Sequence, residues 1–129
     1  MTTEAGPEFS LPEDIGELPA VKHWLEAQAR HWNRSQEDAD RRRKLDTLRS
    51  FCVIQQIDPD ALVKSLFRPT PEGPRIKLKR RRIVMEQIAE FEAKAREETQ
   101  DVRRARDTGN VVRSFLIHNG VAMSAPVVR

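Results

Sequence analysis

The sequence predicts an all-α bundle of four to five helices with short or proline-rich connections. Three observations carry this. Apolar residues recur at steps of three and four in several segments, the pattern of helices that bury one stripe. A third of the 129 residues are charged and only 5% are aromatic, and strong runs of strand-forming residues are missing. Proline and glycine gather between the periodic segments and break them apart. At this length the chain is one domain at most, large enough to bury about two-thirds of its surface.

Residues 1–18 hold Gly6-Pro7, Pro12 and Gly16 among acidic residues, with no visible period. They read as a flexible acidic leader. A first helix is expected over about 19–33, because Pro19 suits a first helical turn. Val21, Trp24, Leu25, Gln28 and Trp32 fall on its inner side. Both tryptophans lie on that stripe, so they read as core anchors rather than base-stacking platforms. A second helix is expected from a Ser35 cap to about residue 57, with Ser35-Gln36-Glu37-Asp38 similar to a capping box. Its inner face is Leu45, Leu48, Phe51, Cys52 and Gln55. Asp58 and Pro59 cap a short third helix reaching about residue 67, with Leu62, Leu66 and Phe67 buried. Arg68-Pro-Thr-Pro-Glu-Gly-Pro-Arg75 then reads as a stiff connector.

A fourth helix follows a run of cations and carries the stripe Val84, Ile88, Phe91 and Ala95. The fifth is predicted to start at a Thr99 cap, with Asp101 in its first turn. Its stripe is Val102, Ala105, Gly109, Val112 and Leu116, and Asn119-Gly120 stops it. Gly109 weakens the helix by roughly 1 kcal/mol relative to Ala, so Thr108-Gly109-Asn110 is a candidate break. Residues 122–129 read as an extended tail or linker.

The net charge of +3 conceals an asymmetry. Residues 1–18 carry five carboxylates and no Lys or Arg; setting those five aside leaves +8 on residues 19–129. A small helical domain with that balance is a candidate for a polyanion partner, against the plainer reading of a solvated basic face. The cations come in three groups. Arg41, Arg42, Arg43 and Lys44 are consecutive, with Glu37, Asp38, Asp40 and Asp46 at helical spacing to lace them. Arg75, Lys77, Lys79, Arg80, Arg81 and Arg82 place six cations in eight residues. Such a run cannot be buried unpaired. Arg103, Arg104 and Arg106 lie early in the fifth helix and mostly off its stripe.

Other chemistries find little here. His23 and His31 stand eight residues apart with no Cys or third His to complete a metal site. There is no glycine-rich phosphate loop and no Ser/His/Asp order. His118 sits at a helix end, where capping carbonyls is the expected role. Cys52 is alone in an apolar stretch, which suits a reducing compartment. No apolar run approaches the roughly 20 residues of a membrane span, and no secretory pattern opens the chain. No catalytic residue, metal or cofactor is expected.

Leu48-Arg-Ser-Phe51 and Val112-Arg-Ser-Phe115 echo each other toward the ends of two helices that start basic, as two similar helical hairpins packed together would produce. With Val21-Lys-His-Trp-Leu25 and the closing Val112-Arg-Ser-Phe-Leu-Ile-His-Asn-Gly-Val121, they make residues 19–121 resemble the N-terminal core-binding domain of tyrosine recombinases, the phage-type integrases. The resemblance covers about four-fifths of the chain. It implies a SAM-like orthogonal bundle that binds double-stranded DNA as one half of a C-shaped clamp. The implied partners are a catalytic recombinase domain or other protomers, and the implied location is the cytoplasm, associated with the nucleoid. Asp40 and Lys44 stand where that family often has Thr and Tyr. The chain has no Tyr, so it lacks the nucleophile of recombinase chemistry. The residues expected to face DNA are Arg41, Arg42, Arg43, Lys44, Lys79, Arg80, Arg81, Arg82, Arg103, Arg104 and Arg106. A helical protein-interaction module with a basic face is the alternative, and RNA binding a further one.

Overall fold

Among the described residues five helices form on the apolar stripes, and a small hairpin forms where no stripe exists. The computed structural model describes residues 9–29 and 34–123, with the side chains of 29 and 34–38 outside the description. A 3-10 turn at Ile15–Glu17 precedes α1 (Pro19–Ala29), α2 (Arg34–Gln55) and α3 (Pro59–Ser65). Then come β1 (Phe67–Arg68), β2 (Arg75–Ile76), α4 (Leu78–Thr99) and α5 (Val102–His118). The strands pair antiparallel, Phe67 opposite Ile76 and Arg68 opposite Arg75.

The core gathers around two aromatic pairs. Trp24 meets Phe115 edge-on at 5.6 Å between ring centroids, and Phe51 meets Phe91 edge-on at 5.4 Å. Leu48, Leu62, Leu66, Val84, Ile88, Val112 and Leu116 fill the space around them, all fully buried. The Trp24 indole N–H is satisfied by Ser114 Oγ at 3.1 Å, and Gln28 donates to the same oxygen at 2.9 Å. Polar side chains also fix the first turn of α1. Asp60 accepts from the Ala20 N–H at 2.8 Å, and Asn119 Nδ2 donates to the Ala20 carbonyl at 3.1 Å. So α3 and the end of α5 position α1 from opposite sides of one residue.

Helices α4 and α5 make the most extensive contact of the bundle, as an antiparallel pair. Gln100 takes a left-handed conformation, φ 59°, which lets only Gln100 and Asp101 join the two. Asp101, not Thr99, caps α5, accepting from the Arg104 N–H at 3.0 Å. Thr99 ends α4 and bonds back to the Ala95 carbonyl. Val102 is 60% exposed and leaves the predicted stripe, whereas Val111 and Phe115 join it. Nor does α5 break at Gly109. A Cβ there would overlap the Glu92 carboxylate and come within 2.5 Å of its Cγ. Glu92 in turn accepts from Arg113 at 2.7 Å. The glycine therefore makes room for a cross-helix ion pair. At the far end Gly120, with φ 92°, lets Val121 N–H reach the Leu116 carbonyl at 2.9 Å.

Other expectations need correction. The class is not purely helical, because the proline-rich connector folds as the β1–β2 hairpin, and Phe67 belongs to it rather than to α3. The acidic leader does not extend to residue 18. Ile15 is buried at 3% exposure, Leu11 and Leu18 pack on the core, and Arg49 donates to the Pro12 carbonyl at 2.8 Å. The tail is likewise docked at its start, since Met123 is buried and the Ala122 carbonyl accepts from Arg81. Phe51 and Phe115, the aromatic residues of the two echoed segments, are both fully buried; among the described residues α1 packs chiefly on the 3-10 turn, α3 and α5, and α2 on α5 and that turn. Helix α2 already includes Arg34, which places Ser35 inside the helix. The capping-box side chains, His31, Trp32 and residues 1–8 and 124–129 lie outside the described residues.

Gly109→Ala tests the ion-pair geometry. Helix propensity alone would add about 1 kcal/mol of stability. With Glu92 in place, overpacking is expected to reverse that into a loss of about 1–3 kcal/mol. In a Glu92→Ala background the same change is expected to stabilise. Denaturant melts of the four proteins measure both effects, and a stabilised single variant would contradict the account.

Candidate nucleic-acid interface

Helix direction decides which cations can act together. Arg81 Nη1 donates to the Ala122 carbonyl at 3.3 Å, so the start of α4 lies beside the end of α5. Arg104 shares a groove with Glu98 and Thr99, so the start of α5 lies beside the end of α4. Eighteen residues of helix separate Arg80 from Glu98, about 27 Å at 1.5 Å per residue. The 79–82 and 103–106 groups are therefore at opposite ends of the α4–α5 pair, and the structure does not bring them together.

Helix α2 runs antiparallel to α5. Gln28 links Lys44, at 2.9 Å, to Ser114, at 2.9 Å, and ten residues later Ile54 reaches the groove that holds Arg104. This sets the 41–44 group toward the same end of the bundle as 79–82. Two of its four charges are paired there. Asp40 pairs with Arg43 at 2.8 Å and with Lys44 at 3.1 Å. Burial pushes the Asp40 carboxyl up, but hydrogen bonds and charge from Arg43 and Lys44 outweigh it and hold the group below its ordinary value. Arg41 and Arg42 line a recess with Glu13, Asp14 and Asp46. Lys44 is half-buried and spans Asp40 and Gln28, which makes it a packing residue as much as a charge.

The 79–82 group differs. Among the described residues none of its four side chains forms a salt bridge with a carboxylate. Arg80 and Arg81 are half-buried and held by neutral acceptors, Ser65 Oγ at 3.2 Å and the Ala122 carbonyl. Lys79 and Arg82 are exposed. Three residues apart on a helix, they share one side. Leu78, 65% exposed, and Ile83, 45% exposed, flank them on the same arc. Helix α4 begins without help for its N-terminus. Lys77 at the cap makes no side-chain hydrogen bond, and the first turn holds no acidic residue. Four cations thus stand at the positive pole of the helix dipole, where anions are favoured.

Arg103, Arg104 and Arg106 are exposed. They do not form one surface. Arg104 faces the groove with α2, while Arg106 lines a recess with Glu92 and Arg96 on the other side of the α4–α5 pair.

Two cations missed by the sequence reading as site residues stand next to the 79–82 group. Arg68 and Arg75 are exposed and directly opposite each other on the hairpin, two and four residues from Leu66 and Lys79. Strands of two residues are too short to show alternation, so periodicity could not find them. The available signal was a glycine and three prolines held between two arginines.

Among the described residues no three metal-ligating side chains converge, and no helix is long and apolar enough to cross a membrane. His118 Nδ1 lies 2.8 Å from the Ser114 carbonyl, a local contact at the helix end. Comparison with family models, curated proteins and solved structures gave no match.

Cys52 illustrates how closed the core is. Burial, with the Asp58 charge adding to it, pushes the thiol up to about 12. A thiol that high holds almost no thiolate at neutral pH, and the thiolate is the nucleophile. The native protein is expected to react with a thiol reagent orders of magnitude more slowly than the unfolded chain, on the order of 10²-fold or more. Native reaction at the rate of a free thiol would show that the α2 face is open.

Proposed function

We infer that this chain is a double-stranded DNA-binding module that grips the phosphate backbone with the first turn of α4. The observation that carries the reading is the 79–82 group, four cations without carboxylate partners at a helix start that lacks a side-chain cap. Alone, that arrangement is unfavourable, since like charges crowd the positive pole of the dipole. A backbone phosphate reverses the sign of every term. It accepts from the cations and suits the unpaired N–H groups of the helix start. Lys79 and Arg82 share one side and make the direct contacts. Arg80 and Arg81, tethered to Ser65 and Ala122, hold the helix start in place and add to the local potential.

The exposed flanks Leu78 and Ile83 sit where the same arc would meet a groove, and apolar contact with a thymine methyl is one way a major-groove helix reads bases. Phosphate contact supplies affinity with little sequence choice. The five-helix core with Phe51 and Phe115 both buried is compatible with the SAM-like bundle of the recombinase core-binding domain. On that reading the catalytic Tyr belongs to another segment or another protein, because this chain has none.

Leu78 and Ile83 also favour a second reading, a helical protein-interaction module that docks an acidic apolar partner on the same arc. Salt dependence on duplex DNA separates the two. Each phosphate neutralised contributes about −0.9 to the slope of log K against log salt. Changing Lys79, Arg80, Arg81 and Arg82 to Gln is expected to flatten that slope by roughly 2–3 units, equally on unrelated sequences. The fold is expected to survive, because Gln is a good helix former and the positive pole loses four cations. Fluorescence anisotropy over a salt series gives the slopes. An unchanged slope contradicts the assignment to α4, and binding to acidic proteins but not to duplex favours the second reading.

A further inference from the structure

The β1–β2 hairpin carries a pair of like charges that its own fold does nothing to relieve. Its pleat sorts four side chains onto two faces. Phe67 and Ile76 oppose each other on the half-buried side, where Phe67 packs against the core. Arg68 and Arg75 oppose each other on the exposed side, with Cβ atoms about 5 Å apart in such a pair. Like charges directly opposite on two strands destabilise them. Among the described residues neither guanidinium has a carboxylate partner. The hairpin's own acid, Glu72, sits in the turn.

The scaffold under this pair is stiff. Pro69 and Pro74 bracket the loop, Gly73 N–H bonds to the Thr70 carbonyl at 2.9 Å, and Thr70 Oγ1 bonds to the Gly73 carbonyl. Below the pair, Lys77 N–H bonds to the Leu66 carbonyl at 2.8 Å. That bond continues the hairpin into the cap of α4. Arg75 and Lys79 are four residues apart, so their Cα atoms lie at most about 14 Å from each other. One duplex can therefore meet the hairpin and the α4 start together.

We propose that the hairpin is a second DNA-contacting arm, in which Arg68 and Arg75 together clamp one backbone phosphate of the duplex that lies against α4. The inference rests on the DNA-binding reading above. Two arginines from opposing strands stand on one exposed face of the hairpin, and a phosphate offers each guanidinium paired oxygen acceptors. A phosphate there removes the repulsion between the facing arginines. The arm reads no bases, so its effect is equal on all sequences.

The test compares three 129-residue proteins on an arbitrary duplex over a salt series: wild type, R68Q/R75Q and R68K/R75K. One shared phosphate predicts that the Gln pair flattens the slope of log K against log salt by about 1 unit, not 2. The Lys pair keeps the charge and is expected to retain the wild-type slope. Thermal melts without DNA at low salt are expected to give the Gln pair a midpoint equal to or above wild type, because the repulsion is gone. An unchanged slope for the Gln pair, beside a flattened slope for the α4 quadruple variant, overturns the hairpin arm and leaves the DNA reading standing. A midpoint lowered by several degrees in both pairs makes the arginines structural and overturns the proposal. Absence of wild-type binding to duplex overturns the DNA reading and the hairpin arm together.

Discussion

The contact of α4 with α5, the most extensive of the bundle, is closed by the Glu92 side chain, which crosses α5 through a gap in its side chains. Gly109 provides that gap, and Arg113, one turn further along, neutralises the carboxylate that fills it. The rest of the bundle follows from this closure. It presents Val112, Phe115 and Leu116 to α1 and α2, and it carries Ser114 to the Trp24 indole. It also fixes antiparallel helices of 22 and 17 residues side by side, so the basic starts of the two helices cannot meet. The antiparallel run of α4 and α5 thus determines which cations share a surface.

The three cation groups differ in what surrounds them more than in composition. Asp40 takes up the charge of Arg43 and Lys44, and Glu13, Asp14 and Asp46 border Arg41 and Arg42. The 103–106 group is split between two sides of a helix pair. The region from Arg68 to Arg82 is left with charges facing charges, at a helix pole of the same sign. On the DNA-binding reading a phosphate of opposite charge completes this region, whereas stability alone would favour acidic residues at those positions. Uncompensated potential, rather than a count of basic residues, distinguishes this end of the bundle.

Much of the fold was legible in the sequence because long helices announce themselves by period. The stripes of α1, α2 and α4 are buried at Val21, Trp24, Leu48, Phe51, Val84 and Ile88, and Gly120 ends α5. The misses share a cause, which is that local pattern does not encode distant partners. Gly109 reads as a flaw until Glu92 is placed against it. Ile15 looks solvated in an acidic segment until α2 and α1 form a wall for it. The hairpin has two residues per strand and no period to detect. The basic runs were visible as runs, but their neutralisation by Asp40, and the distance between the α4 and α5 starts, depend on helix direction. The link between Arg68 and Arg75 depends on strand register in the same way.

The central claim is that one end of the bundle, the start of α4 with its hairpin, receives duplex DNA. An amide chemical-shift titration of the 129-residue protein with a short duplex at low salt tests it most directly. The account predicts that the largest shifts fall within residues 67–82, with smaller ones around 41–44 and little change at 103–106. Shifts centred on 103–106, or no shifts at any duplex concentration, would contradict it.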